Sequence, residues 1–170
     1  MVVPFLGRRS PRLPRFDYGS AGVYFITVVA HQRRCLFAEV MSGQSVATDA
    51  GHMILSTWHS IPARHPGAAL DDFVLMPNHV HGLLRLEGGS PRPRRLTVPA
   101  VVGAFKSLTT TRYIQGVSAL GWPPFEQHLW QRSYYDRILR DEVEVKAVRE
   151  YIATNPLRWT SDREFPIPRT

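Results

Sequence analysis

The sequence predicts an α+β fold built on one antiparallel sheet, and three observations predict it. Val23 to His31 is dense in β-branched and aromatic residues, as a strand buried on both faces requires. Asp71 to Leu84 reads as strand, turn, strand about Pro77 and Asn78, with Phe73 to Met76 as an apolar, β-favouring run. Segments with helical spacing of apolar residues lie on either side of that hairpin.

In chain order, residues 1–20 read as an extended basic arm. Arg8, Arg9, Arg12 and Arg15 alternate there with Pro11 and Pro14, a composition that forms no core element. The strand Val23 to His31 follows. From about Val46 to Ile61, the residues Ala50, Met53, Ile54, Thr57, Trp58 and Ile61 recur at helical spacing, and Pro62 ends the pattern. Next comes the hairpin, then a basic Gly/Pro/Ser-rich loop from Glu87 to Pro99. Val101 to about Tyr113 places Val102, Phe105, Leu108 and Thr109 on a second helix. Gly116 to Gln127 reads as a loop, and Leu129 to Tyr135 as a fourth strand. Asp141, with Glu144 three residues on, caps a last helix whose stripe is Val145, Val148 and Ile152 and which stops before Pro156. The order strand, helix, strand, strand, helix, strand is the ferredoxin-like βαββαβ sandwich, with helices on one face of the sheet and a C-terminal helix added. Residues 21–160 make its single domain and 161–170 a short tail.

The chain has 170 residues, a net charge of +7 and a pI near 10.2. Such a field attracts polyanions, nucleic acid first, and no apolar run approaches the roughly 20 residues that cross a bilayer. The single cysteine, Cys35, excludes an intramolecular disulfide and a cysteine-rich zinc site, and it suits a reducing cytoplasm.

His79 and His81 carry the first chemical signal. Residues i and i+2 of a strand share a face, roughly 6.5 Å apart, a span that two imidazoles can close over one divalent ion while Val80 points into a core. Spacing alone leaves a second reading open, two polar residues on the solvent face of an edge strand. The second signal is Tyr151 and Asn155, four apart on the last helix, which project from one face toward a common point. Tyr113, Tyr134 and Tyr135 are rival nucleophiles by residue type, and Asp136 is a further carboxylate.

Six blocks in order then carry a resemblance over nearly the full length. They are the arginine arm leading into Phe16-Asp17-Tyr18, then Tyr24-Phe25-Ile26-Thr27, then Met76-Pro77-Asn78-His79-Val80-His81-Gly82, then Gly103-Ala104-Phe105-Lys106-Ser107, then Trp130 to Asp136, and Tyr151 to Pro156. The chain resembles the REP-associated tyrosine transposases, relatives of the single-tyrosine HUH transposases of bacterial insertion sequences. The resemblance implies that His79, His81 and Asn155 hold a divalent metal, Mg2+ or Mn2+, and that Asn155 stands where insertion-sequence relatives carry glutamine. It implies Tyr151 as the nucleophile that forms a 5′-phosphotyrosine link and frees a 3′-OH. The implied partner is single-stranded DNA with a hairpin of the repetitive extragenic palindrome type. Arg8, Arg9, Arg12, Arg15, Lys106 and Arg132 are then the DNA-binding candidates. The implied enzyme is a monomer or homodimer in the cytoplasm, associated with the nucleoid.

Two other readings fit parts of the pattern. A histidine-triad nucleotide hydrolase also uses His-x-His on a strand, but it expects a third histidine where Leu83 stands. A non-catalytic ferredoxin-like nucleic-acid-binding module needs neither metal nor Tyr151.

Overall fold

A computed structural model describes residues 20–87 and 96–166. The arm arginines Arg8, Arg9, Arg12 and Arg15 and most of the basic loop lie outside the described residues. The main sheet has four strands in the order β4-β5-β1-β6, all antiparallel. They are β1 (Gly22–Val29), β4 (Ala68–Leu75), β5 (His79–Leu86) and β6 (Tyr135–Leu139). A separate hairpin joins β2 (Ala38–Met41) to β3 (Gln44–Ala47). The helices are α1 (Asp49–His59), the single turn α2 (Ile61–Arg64), α3 (Val98–Leu120) and α4 (Glu142–Thr154).

Alternation along β1 divides the core in two. Tyr24, Ile26 and Val28 face one side with Val80 and Leu84 of β5, under Ile54 and Trp58 of α1 and Val102 and Phe105 of α3. Val23 and Phe25 face the other side with Leu83 and Leu139, where Val145, Val148 and Ile152 of α4 cover them. The sheet thus carries helices on both faces. Helices α1 and α3 occupy the face expected of a ferredoxin-like sandwich, and the apolar stripe of α4 seals the opposite one. Across that second face Arg149 of α4 grips Asp71 of β4 with two hydrogen bonds, of 3.0 and 2.6 Å. That guanidinium holds the Asp71 carboxyl below its ordinary pKa.

Four elements depart from the sequence expectation. Val46 belongs to β3, and α1 begins only at Asp49, because Thr48 caps it by accepting a hydrogen bond from the Gly51 N–H at 3.0 Å. Ser42 and Gly43, both at positive φ, turn the β2–β3 hairpin that precedes it. Helix α3 runs to Leu120, through half of the expected loop, and ends where Gly121 takes the left-handed conformation (φ 69°). The fourth strand is Tyr135–Leu139 and not Leu129 to Tyr135, since the ladder beside β1 pairs Thr27 with Tyr135 and Val23 with Leu139. Leu129 and Trp130 are buried all the same. Trp130 plugs the core between Phe37 and Phe105 and donates its indole N–H to the Thr109 hydroxyl at 2.9 Å, so core demand alone gave that segment a strand-like composition.

Gly82 explains the residue after the paired histidines. A Cβ there would overlap the ring of Trp58.

Candidate functional site

The two histidines are buried, His79 wholly and His81 nearly so, on the α4 face of β5, while Val80 enters the opposite core as its alternation requires. Their Nε2 atoms face each other at 3.0 Å. Each Nδ1 is held from behind. His79 Nδ1 lies 2.8 Å from Asn78 Oδ1, and His81 Nδ1 lies 2.8 Å from Thr27 Oγ1 on the neighbouring strand. Asn78 donates its own amide N–H groups to the carbonyls of Arg33 and Glu164, which fixes its Oδ1 as the acceptor. His79 therefore carries its proton on Nδ1 and presents a lone pair at Nε2.

Tyr151 reaches the same point from α4. Its hydroxyl stands 3.4 Å from His81 Nε2, and its ring packs edge-on against Phe25 and His81. Asn155, the C-cap of α4, is buried and donates from Nδ2 to Asp162 Oδ2 at 3.0 Å. Its Oδ1 is buried with no hydrogen-bond partner. Asp162, with His79 and His81, completes a group whose ligand atoms all lie within 4.8 Å of one another. The Trp159 ring lies 6.0 Å from that of His79, and Glu164 pairs with Arg33 at 2.8 Å.

Burial sets the electrostatics. It pushes His79 down to about 4, against a smaller opposing pull from the Asp162 charge and the Asn155 amide. His81 is held well below its ordinary value by burial and then by His79. Burial first, and the Asp162 charge second, raise the Tyr151 phenol to about 12. Two neutral imidazoles, a carboxylate and an unmatched amide oxygen converge beside a phenol that these surroundings keep protonated. That donor set could hold a divalent ion, which would satisfy Asn155 Oδ1 and separate the two facing Nε2 atoms.

His79, His81, Tyr151 and Asn155 are thus brought together as the sequence expects. The rivals stand elsewhere or are otherwise engaged. Tyr113 is buried on the α3 face and donates its hydroxyl proton to the Pro123 carbonyl, Tyr134 packs against that same core, and Tyr135 meets Phe25 edge-on from β6. Sequence reasoning missed Asp162, Asn78 and Thr27. Asn78 had a visible signal, its place in the turn next to His79. Asp162 and Thr27 had none, since only tertiary folding brings them to the histidines.

Residues 24–155 match the family described as Transposase IS200 like. The chain belongs to that family. As an IS200-like transposase it is a DNA-processing enzyme, and its basic charge suits that substrate. A protein of Haemophilus influenzae that carries no assigned function is 34% identical over an alignment of 169 positions, with 93% of this chain and 93% of that one covered. The fold recurs in a REP-associated tyrosine transposase solved bound to a REP hairpin, with a TM-score of 0.59 and 18% identity over 85% of this chain and 72% of that one. It recurs also in a protein of Deinococcus radiodurans R1 described as a transposase, with a TM-score of 0.52 and 20% identity over 82% and 93% of the two chains.

The two described DNA-binding candidates of this transposase lie apart from the histidines. Lys106 is half-buried on α3 and donates to the carbonyls of Gln131 and Arg132 at 2.7 and 3.0 Å, and its burial lowers its pKa. Arg132 is exposed beside it. No helix among the described residues is long and apolar enough to cross a membrane.

Proposed function

We propose that this transposase is a metal-dependent single-stranded DNA endonuclease and strand transferase that acts at hairpin sequences through a 5′-phosphotyrosine link on Tyr151. One observation carries the reading: the Tyr151 hydroxyl points at His81 Nε2 inside the pocket where two neutral histidines, Asn155 and Asp162 converge.

His79, His81 and Asp162 would hold the ion, with Asn155 Oδ1 as a further ligand. Imidazole ligation favours Mn2+ over Mg2+ between the two expected ions. When bound, the ion offsets charge on the non-bridging phosphate oxygens and favours the ionised phenol. Asn78 and Thr27 fix the histidine rings from behind, so that the Nε2 atoms face inward. Tyr151 then attacks phosphorus in line. The Tyr151 oxygen–phosphorus bond forms, the bond from phosphorus to the 3′ oxygen breaks, and that oxygen leaves as a 3′-OH after gaining a proton. Attack by another 3′-OH on the phosphotyrosine reverses these steps and joins strands without an outside energy source. Helix α4 packs on the sheet of its own chain, which supports a site assembled within one chain.

The test incubates wild type and Tyr151→Phe with labelled hairpin DNA carrying single-stranded flanks, in Mn2+, Mg2+ or chelator, and resolves the products on denaturing gels. A covalent protein–DNA adduct is expected only with wild type and metal, and Tyr151→Phe is expected to keep hairpin binding. An adduct in Tyr151→Phe, or in chelator, would overturn the mechanism.

A further inference from the structure

The loop after β1 and residues 162–164 meet at the turn that carries Asn78, and one ion pair, Arg33 with Glu164, joins them. We propose that Glu164, clamped by Arg33, is a positioning residue for the metal site, setting Asp162 directly and His79 through Asn78. The inference rests on the metal-dependent reading of the pocket and adds to it the pair that gives the pocket its shape.

Glu164 makes three separate bonds. Its N–H donates to Asp162 Oδ1 at 2.7 Å, its carbonyl accepts from Asn78 Nδ2 at 2.7 Å, and its carboxylate accepts from Arg33 Nε at 2.8 Å. The first bond fixes one Asp162 oxygen while Asn155 Nδ2 holds the other. The second takes one of the two Asn78 amide protons, and the Arg33 carbonyl takes the other at 3.0 Å. The Asn78 amide is thereby locked with its Oδ1 toward His79 Nδ1. Two ligands from distant segments thus depend on one residue, and the bond between the charged side chains is of the stronger, charge-assisted kind.

Secondary structure does not do this work for Asp162. Residues 162–166 lie outside any helix or strand, so no ladder places that carboxylate and the task falls to individual side chains. On the opposite side of the clamp, Gln32 and Arg33 both take the left-handed conformation, at φ 55° and 54°, which costs free energy in residues that carry a Cβ. Their surroundings impose it. The Pro77 carbonyl accepts from the N–H groups of Leu36 and Phe37, each at 2.9 Å, and the Asn78 carbonyl accepts from Ala30 at 2.7 Å, which wraps the loop around the turn. In that strained conformation the Arg33 carbonyl reaches Asn78 while its guanidinium reaches Glu164.

The experiment uses the full chain and titrates Mn2+ calorimetrically into metal-free protein. Glu164→Ala is expected to bind Mn2+ about tenfold more weakly, as the loss of an outer partner of metal ligands does. Glu164→Gln keeps an acceptor for Arg33 Nε and is expected to recover most of that affinity. Arg33→Ala should lose about as much as Glu164→Ala, and the double variant no more than either, because both changes open one clamp. In long-range proton–nitrogen spectra of metal-free protein, the His79 Nδ1–H is expected to be sharp in wild type and broadened by exchange in Glu164→Ala, a signature that a loss of global stability alone does not produce. Wild-type Mn2+ affinity in Glu164→Ala, losses that add in the double variant, or an unchanged His79 Nδ1–H would overturn the proposal. The Arg33 side chain is 45% exposed, so Arg33→Ala decides the matter should Glu164→Ala disturb folding. A wild type that binds Mn2+, with the expected losses in the variants, yet forms no hairpin adduct would refute the nuclease reading alone.

Discussion

Acidification in the absence of metal should destabilise this protein before its carboxylates titrate, because two histidines must be buried in neutral form. The unfolded chain protonates His79 near 6.5, whereas the folded chain does so only near 4. Between those values the unfolded state binds more protons, so stability rises with pH there. Above pH 6.5 the contribution is fully present, it is lost as pH falls toward 4, and below that the loss levels off. At about 1.4 kcal/mol per pH unit, His79 alone accounts for a decline of about 3 kcal/mol, a large share of the 5–15 kcal/mol typical of a domain. His81 acts in the same direction. Asp71 acts in a lower window, since its depressed pKa stabilises above the ordinary carboxylate value of 3.8 and its contribution is lost as pH falls through the folded value. Urea unfolding in chelator, followed by tryptophan fluorescence at steps from pH 7.5 to 4.5, measures the slope. Replacing both histidines by glutamine should flatten it, and saturating Mn2+ should add stability at neutral pH by mass action. A wild-type stability that stays level from pH 7 to 4.5, or an equal slope in the double variant, would refute the reasoning.

Other predictions concern single contacts. Asn155→Ala should weaken Mn2+ binding in calorimetry by about ten- to a hundredfold, and an unchanged affinity would remove its oxygen from the ligand set. Gly82→Ala should cost about 1–3 kcal/mol in denaturant melts, because the added methyl overlaps the Trp58 ring; a wild-type midpoint would show that the ring gives way. Asp71→Ala and Arg149→Ala in a double-mutant cycle should show a small favourable coupling, modest because the Arg149 side chain is 39% exposed, and additive effects would mean that the pair does not hold α4.

What was legible in the sequence follows from range. The β4–β5 hairpin, the cap at Asp141 and the Tyr151–Asn155 face are written within a few residues each, and the structure places them as read. The hydrogen bond from the Glu144 N–H to Asp141 Oδ1, at 2.8 Å, is the local physics that the capping pattern encodes. Elements defined by distant partners were misread. Leu129 and Trp130 are apolar because Phe37 and Phe105 need a plug, which composition cannot separate from a strand. Thr109, Thr110, Thr111 and Gly116 weaken local helix propensity in α3, yet packing carries the helix to Leu120; Gly116 is retained because the Trp122 ring lies on it. The site shows the same division. The histidines and Tyr151 sit in recognisable local settings, whereas Asp162 arrives from a segment that read as a tail and reaches His79 only after the turn at Pro156–Ser161 folds it back.

The alternation along β5 has a consequence for proofreading. His79 and His81 serve one face of the sheet, and Val80 and Leu84 seal the other. A slip of one residue against β1 would thrust both imidazoles into the apolar layer beneath α1 and α3 and present valine to the substrate, while Gly82 would lose its place under Trp58. Such a chain would be both unstable and incapable of chemistry. For a DNA-processing enzyme this is a safeguard written into strand geometry: a misassembled copy loses its stability and its chemistry together.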